Sequence, residues 1–201
     1  MSDIKPRIAV FIDAGNVWAS YKQLKKVLDF STFASFFSEK FGGDIFRIFY
    51  YRAYPRDGAR DKKSIEDIHK FFTYLKKELK FSIIKKPLKT IFIKDSDGNV
   101  IFDPKTGKPK HTEKGNFDVE LTIDSLKYSS AYDIAIFLTG DSDFLPLVSY
   151  LKNLKQSKKV FVFSTKGCIS SELISGSDKY YDLANCPEIH GNDLRYKQNI
   201  K

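Results

Sequence analysis

Three aspartates follow two apolar segments of this sequence at positions suited to metal binding. Asp13 comes directly after the apolar residues 8–12, and Asp141 and Asp143 come shortly after the apolar residues 134–138. Short apolar runs of this kind are typical of strands buried on both faces of a sheet. In open α/β sheets, ligands bind at the edge formed by the carboxyl ends of the strands. We therefore expect all three carboxylates at one ligand-binding edge.

A fourth carboxylate, Asp118, is expected in the first turn of a helix. The helix dipole would stabilise it there, so capping alone is an alternative role for Asp118, as it is for Asp141 and Asp143. Carboxylates that converge repel one another, and a divalent cation removes this repulsion. Oxygen ligands without histidine or cysteine select Mg²⁺ or Mn²⁺. The sequence thus predicts a Mg²⁺ or Mn²⁺ site with the ligands Asp13, Asp118, Asp141 and Asp143.

Such a site suits metal-assisted hydrolysis of a phosphodiester, because bound ions orient and acidify the attacking water and stabilise charge on the phosphate. Asn16 is expected at the start of the helix after Asp13, either as its N-cap or as part of the site. Asp124 follows Asp118 by about 120° around the same helix, so the two need not share a face. The sequence contains no Ser–His–Asp or Cys–His arrangement and no glycine-rich nucleotide-binding loop.

The elements that must position these residues alternate between strands and helices. Strands are expected at residues 7–12, 45–53, 81–84, 134–138 and 159–163, and helices at residues 17–28, 31–41, 64–79, 118–126 and 145–154. This alternation predicts a mostly parallel, three-layer α/β domain. Gly140 permits the turn after the strand at 134–138, Ser142 or Asp143 can cap the next helix, and Pro146 fits its first turn.

A basic hairpin interrupts the alternation. Residues 90–94 and 100–102 are expected to pair around a turn at Asp97 and Gly98, within a lysine-rich region. An ordinary solvated loop would have the same composition. We expect a single domain over residues 1–185 and a polar tail over residues 186–201, and the last stretch, residues 180–201, should fray.

The net charge of +9 over 201 residues favours a polyanionic partner, although lysine-rich proteins without such a partner are common. Basic residues of the hairpin and of the turn near residue 56 are the candidates for contacts with phosphate groups: Arg56, Arg60, Lys62, Lys63, Lys105, Lys108, Lys110 and Lys114.

The composition, 42% hydrophobic and 15% aromatic, is enough to bury one sizeable core. The apolar run near the N-terminus is too short for a signal peptide or a membrane span, so no membrane association is expected. The two cysteines provide neither a disulfide framework nor zinc-ligand spacing. A cytoplasmic location is the simplest expectation.

Three blocks of the sequence resemble the signature blocks of the NYN domain family, in the bacterial branch of that family within the PIN-like nuclease superfamily. They are residues 11–16 (FIDAGN), residues 114–124 (KGNFDVELTID) and residues 139–146 (TGDSDFLP). The likeness extends over roughly residues 5–185. It implies a PIN-like α/β/α sandwich, an acidic pocket that holds Mg²⁺ or Mn²⁺, and RNA as the substrate class.

The resemblance also assigns individual positions. Asp13 matches the first acid of the family, Asn16 its companion amide, and Asp118 the acid on the helix. Asp141 and Asp143 match the final pair of acids in the family.

Further positions fall within the same blocks. Asp124 matches a position that is often acidic in the bacterial branch, and Thr139 and Ser142 belong to the third block. The chain departs from the family at Asn116 and Phe117, where the usual residue is small and aliphatic.

The function implied is that of a metal-dependent ribonuclease acting on single-stranded RNA. One alternative is a catalytically silent RNA-binding or regulatory module with the same fold. Another is a haloacid-dehalogenase-like phosphatase, in which an aspartate also follows a buried strand. That enzyme class needs a second aspartate two residues after the first, where this chain has Gly15.

Overall fold

A computed structural model of the chain describes residues 4–56 and 61–193. Arg60, a candidate for phosphate contact, lies outside the described residues. The strands are β1 (Arg7–Asp13), β2 (Lys26–Leu28), β3 (Asp44–Tyr54), β4 (Ser82–Pro87), β5 (Lys89–Phe92), β6 (His111–Lys114), β7 (Ile134–Leu138), β8 (Lys159–Ser164), β9 (Lys179–Asp182) and β10 (His190–Asp193). The α-helices are α1 (Ala14–Leu24), α2 (Phe33–Phe41), α3 (Lys62–Lys77), α4 (Asp118–Lys127), α5 (Leu145–Lys152) and α6 (Ser171–Gly176).

Six strands form the central sheet in the order β4-β3-β1-β7-β8-β9, and every neighbouring pair is parallel. Helices cover both of its faces, so the predicted three-layer α/β/α fold is confirmed. None of the helices in the described ranges has the length and apolar character that crossing a bilayer requires.

Alternate residues of the central strands supply two separate cores. Ile8, Val10 and Ile12 of β1 pack with the buried side chains of α1, α2 and α3 on one face of the sheet. Ala9 and Phe11 pack with those of α4, α5 and α6 on the other. This separation follows from the two-residue period of a strand, which points successive side chains to opposite faces. Because both faces are covered, the inner strands β1 and β7 and their neighbour β8 carry unbroken apolar runs, as the sequence indicated.

The order of the strands reverses between β1 and β7. From β1 the chain continues outwards to β3 and β4 through helices on one face, and it then returns to β7 and continues to β8 and β9 through helices on the other. A crevice forms at such a reversal because the helices on either side leave in opposite directions, and ligands of open α/β sheets bind there. Asp13 is the last residue of β1, and Asp141 lies three residues after the end of β7, so both lie at this crevice.

Several helix boundaries differ from the prediction by one to four residues, and two of these differences have a clear local cause. The helix expected to continue to residue 28 ends at Leu24, because Lys25 adopts a left-handed conformation with φ of 57° and residues 26–28 pair with β10 instead. The helix expected from Ser64 begins at Lys62, and its N-cap is Asp61, whose carboxylate accepts a hydrogen bond from the Ser64 backbone N–H at 2.9 Å.

The basic hairpin is present, but its main pairing differs from the prediction. Strand β5 pairs with β6 in antiparallel fashion, whereas the expected partner segment at residues 100–102 forms two single bridges outside β5, between Val100 and Lys94 and between Phe102 and Pro109. The turn at Gly98 forms as expected, with a φ of 87° that glycine tolerates. The sequence pattern missed β6 because His111–Lys114 is polar and exposed.

The described residues beyond 185 pack against the domain rather than fray. Cys186 and Ile189 are buried in the core beneath α1 and α2, and β10 pairs with β2. Little in this segment predicts such packing, because only single apolar residues alternate with polar ones.

Gly140, directly before the acidic turn, has no room for a side chain. A Cβ atom placed on it would lie 1.6 Å from the carbonyl oxygen of Cys168, and the Ser170 backbone N–H donates to the Gly140 carbonyl at 3.0 Å. The loop between β8 and α6 therefore crosses the end of β7 in direct backbone contact.

Replacing Gly140 by alanine should lower the free energy of unfolding by about 3 kcal/mol, because the backbone of the crossing loop would have to move. The measurement is urea denaturation followed by circular dichroism. Gly191→Ala is the matched control, since its Cβ would meet Val27 at an ordinary 3.4 Å. Equal stability of the two variants would contradict the close approach at Gly140.

Candidate active site

Three carboxylates meet at the carboxyl edge of the sheet. One oxygen atom each from Asp118, Asp141 and Asp143 lies within 4.8 Å of the other two. Asp118 and Asp141 are partly buried, whereas Asp143 is exposed. We call these three residues the acidic trio. Its hard oxygen donors are of the kind that Mg²⁺ and Mn²⁺ prefer, so the trio could hold such an ion.

The turn after β7 positions two members of the trio. Residues 142–144 form one turn of 3₁₀ helix, whose N-cap is Asp141, with Oδ1 accepting from the Asp143 backbone N–H at 3.0 Å. The buried hydroxyl of Thr139 accepts a hydrogen bond from the Asp141 backbone N–H at 3.3 Å. The expectation that Ser142 or Asp143 caps the next helix was wrong: Asp141 caps the 3₁₀ turn, and α5 follows that turn directly, with Phe144 at its N-cap and no capping hydrogen bond from a side chain. Ser142 is exposed within the turn.

Asn116 positions the third member. Its side-chain oxygen accepts from the Asp118 backbone N–H at 2.7 Å, and its amide nitrogen donates to Asp118 Oδ2. The side chain therefore fixes the orientation of the carboxylate at the start of α4. No role was predicted for Asn116, although an asparagine two residues before an acid at a helix start is a recognisable signal for such a local contact.

Asp13 lies beside the trio rather than within it. Its two oxygens accept hydrogen bonds from the Gly15 backbone N–H at 2.9 Å and from the Asn16 side-chain amide at 2.6 Å. Asp13 is thus the N-cap of α1, the role that had been considered for Asn16.

Burial raises the pKa of the Asp13 carboxyl above its ordinary value, and the negative charge of Asp118 raises it further, while the hydrogen bonds from Asn16 and Gly15 oppose the shift. Folding therefore favours the protonated form of Asp13. The contribution of the protonated Asp13 carboxyl to the free energy of unfolding is complete below the ordinary pKa of an aspartate. This contribution is lost as the pH rises through the raised pKa.

Asn16 links the ends of the two central strands. Its amide nitrogen donates to Asp13 at the end of β1, and its oxygen accepts from the Gly140 backbone N–H after β7 at 3.2 Å. A carboxylate could not make both contacts, because it has no hydrogen atom to donate to Asp13. The amide at this position is therefore required by the hydrogen-bond pattern.

Residues 7–184 of the chain match the NYN domain. The chain belongs to the NYN domain family. It is similar to the Low amplitude and bright protein LabA of Synechococcus elongatus, with 26% identity over 94% of this chain and 86% of LabA. Its fold resembles the crystal structure of a protein of unknown function, VPA0982, from Vibrio parahaemolyticus, with a TM-score of 0.67 and 22% identity, covering 95% of this chain and 99% of that one.

Asp124 of this NYN domain lies outside the acidic trio. One of its oxygens accepts a hydrogen bond from the hydroxyl of Tyr51 at 3.0 Å. Tyr51 is fully buried, and burial together with the nearby negative charge of Asp124 raises the pKa of its hydroxyl. The Tyr51 hydroxyl therefore stays protonated and keeps donating to Asp124.

The basic candidates lie at different places around the NYN domain. Lys114 lines a pocket of about 240 Å³ with Lys86, Lys89 and Asn116, and so adjoins the residue that holds Asp118. The exposed Lys105, Lys108 and Lys110 belong to the outer part of the hairpin.

The remaining candidates lie before or within α3. The exposed side chain of Arg56 donates to the Leu88 carbonyl at 3.2 Å. Lys62 and Lys63 are exposed in the first turn of α3, and Lys62 lies 4.0 Å from Glu66. An exposed pair at that separation contributes little to stability.

Replacing Asn16 by alanine should lower the free energy of unfolding by about 2 kcal/mol, because the partly buried Gly140 N–H and the Asp13 carboxylate both lose their partner. Urea denaturation measures the effect. Asn153→Ala is the control, since the exposed Asn153 side chain makes a local bond to Ser149 at 2.9 Å. A loss no greater than that of the control would show that the link between the strands adds nothing to stability.

Proposed function

We propose that this NYN domain is a metal-dependent nuclease that hydrolyses phosphodiester bonds of single-stranded RNA. The acidic trio carries the proposal, because three carboxylate oxygens within 4.8 Å of one another form an arrangement that like charges resist unless a cation neutralises them. Asp118, Asp141 and Asp143 would hold Mg²⁺ or Mn²⁺. When bound, such an ion lowers the pKa of an attacking water and stabilises negative charge on the phosphate.

The residues around the trio support this role by fixing its geometry. Asn116 orients Asp118, and the Thr139 hydroxyl and the Asp143 N–H hold the turn that carries Asp141. Ligands that are fixed in advance lose little conformational entropy when an ion or a substrate binds.

Asp13 would contribute a further negative charge next to the ion. Its raised pKa means that the ionised form is held at an electrostatic cost, and a cation at the neighbouring trio would reduce that cost. Asn16 keeps the Asp13 carboxylate turned towards its own amide and connects it to the end of β7. We therefore assign both residues to the site, with Asp13 acting beside the trio.

The basic pocket provides a path for the phosphates of the strand. Lys89 and Lys114 are exposed and face each other across β5 and β6, and Lys114 is separated from Asn116 by one residue. Lys86, in the same pocket, forms an ion pair with Glu120 at 2.5 Å, so its charge is already partly neutralised. Lys89 and Lys114 are therefore the strongest candidates to bind phosphates near the trio.

A catalytically silent RNA-binding or regulatory module is the second candidate, because the name of the similar LabA protein states no nuclease activity. Such a module would bind RNA through the same lysines and leave it intact. Family membership gives no support to the phosphatase alternative.

Replacing Asp141 by asparagine should reduce cleavage of a labelled single-stranded RNA in Mn²⁺ by at least about a hundredfold, because the shape is kept while the charge that holds the ion is lost. RNA affinity measured with a chelator present should stay the same or increase, since a negative charge facing the phosphates has been removed.

Asp124→Asn is the matched control, because it makes the same chemical change on α4 outside the trio and keeps an acceptor for the Tyr51 hydroxyl. Its loss of cleavage should be much smaller. If wild type and Asp141→Asn cut equally well, the activity does not come from this site. RNA that is bound tightly but never cut in Mn²⁺ would identify the silent module.

Replacing Lys89 and Lys114 together by alanine should weaken RNA binding and lower the slope of log affinity against log salt by about 1.4, the value for two phosphate contacts with a single strand. The measurement is fluorescence anisotropy at several salt concentrations. Replacing Lys105, Lys108 and Lys110 in a second variant shows how far along the hairpin the contacts extend.

Lys76→Ala with Lys77→Ala is the control for both variants. These exposed lysines end α3, which leads into the amino end of β4, so they lie at the opposite edge of the sheet from the acids. A salt slope that changes as much in the control as in the Lys89 and Lys114 variant would rule out a localised phosphate path.

A further inference from the structure

A cleft of about 380 Å³ opens beside Asp13 at the carboxyl ends of β1 and β3. Helix α1 forms one wall, and the residues that precede α4 form another. Aromatic side chains dominate its lining, together with one arginine and one carboxylate: Trp18, Tyr21, Tyr50, Tyr51, Phe117, Arg52 and Asp13. We call it the aromatic cleft. Its volume falls within the range of pockets that hold small organic groups.

Trp18 is the exposed aromatic group of the aromatic cleft. Its side chain is 47% exposed, whereas Tyr21, Tyr50 and Phe117 are buried. The ring of Tyr21 contacts the indole edge to face, with 5.9 Å between ring centroids and 73° between planes. The indole is therefore held by a packed neighbour while much of its surface faces solvent and is available for a flat ligand to stack on.

Arg52 supplies the hydrogen-bond donors of the cleft. It is partly buried near the end of β3, close enough to Tyr50 for its positive charge to oppose the rise in the pKa of the Tyr50 hydroxyl that burial causes. Its guanidinium carbon also lies 5.9 Å from the ring centroid of Phe71. These contacts restrain the side chain, while a guanidinium has five N–H groups and can still donate to a ligand.

The aromatic cleft adjoins the acidic trio. Asp13 lines the cleft, and it is close enough to Asp118 for the charge of Asp118 to affect it. Phe117, on the opposite wall, directly precedes Asp118 in the chain. A polynucleotide with a phosphate at the trio would therefore bring the next nucleotide to the mouth of the cleft.

We propose that the aromatic cleft binds one nucleobase of the substrate strand, which stacks on Trp18 and accepts hydrogen bonds from Arg52. The inference rests on the proposed function for the presence of a polynucleotide at the trio. Bases of single strands are recognised by stacking on aromatic side chains and by hydrogen bonds to their edges. A phosphate group is disfavoured in this cleft, because the walls are aromatic and the carboxylate of Asp13 lies among them.

The fluorescence of Trp18 provides a direct test, since it is the single tryptophan of the sequence. The probes are a tetra-adenylate RNA and a tetranucleotide of the same backbone without bases, both titrated in EDTA so that no cleavage occurs. Tetra-adenylate should quench the emission and bind about tenfold more tightly than the abasic strand. Equal quenching by both strands, or binding of tetra-adenylate without quenching, would overturn the proposal.

Two variants test the contacts by anisotropy with labelled tetra-adenylate, again in EDTA. Trp18→Ala and Arg52→Gln should each weaken binding by about tenfold. Trp18→Ala should leave the affinity for the abasic strand unchanged, and Arg52→Gln should lower that affinity by a smaller factor than the affinity for tetra-adenylate, because a positive charge is lost. Tyr150→Ala is the matched control, since Tyr150 is 56% exposed on α5, away from the cleft. Trp18→Phe keeps a stacking surface and should restore most of the affinity. A Trp18→Ala variant that is folded by circular dichroism and binds like wild type would also overturn the proposal.

The outcomes separate this inference from the proposed nuclease activity. Base-dependent quenching without cleavage in Mn²⁺ would leave the aromatic cleft as a base-binding site in a silent module. Cleavage in Mn²⁺ together with equal binding of the abasic strand would support the nuclease and reject the base-binding cleft.

Discussion

The parallel pairing of β1 with β7 is the constraint on which the site depends. Ile8 lies opposite Ile134 and Ile12 opposite Leu138, so both strands end at the same level. The strand order reverses there, and the acids that follow the two strands are brought to one crevice. Carboxylates repel each other when they lie this close. The strands, which are buried on both faces, supply the folding free energy that keeps the carboxylates together. The Asn16 amide, which contacts the ends of both strands, secures this arrangement at the edge.

Most of the fold could be predicted from the sequence because its signals are local. Strands β1, β7 and β8 contain continuous apolar runs, and β3 is rich in aromatic and β-branched residues. A chain that alternates such segments with amphipathic helices has few alternatives to a parallel sheet. The convergence of the acids at the carboxyl edge followed from the same reasoning. Strand β9 was not predicted, since Lys179–Asp182 is a short polar and aromatic segment at the edge of the sheet.

Features that depend on partners distant in sequence could not be predicted. Residues 26–28 look helical, and they form a strand because β10 is available to pair with them. The position of Asp13 beside the trio depends on hydrogen bonds from Gly15 and Asn16, which occupy one carboxylate oxygen each. Trp18 and Arg52 gave no local signal of a shared cleft, because they come from α1 and β3, which the fold brings together.

The pairing of β2 with β10 has a consequence for the order of folding. Strand β2 directly follows α1, the helix that carries Asn16 and Trp18, and its partner lies more than 160 residues later in the chain. Closing so long a loop is entropically costly and slow, so contacts of this separation form late. During synthesis, α1 therefore gains its brace only after the last described residues have emerged. The brace behind α1 is therefore completed at the end of folding, and partly made chains lack it.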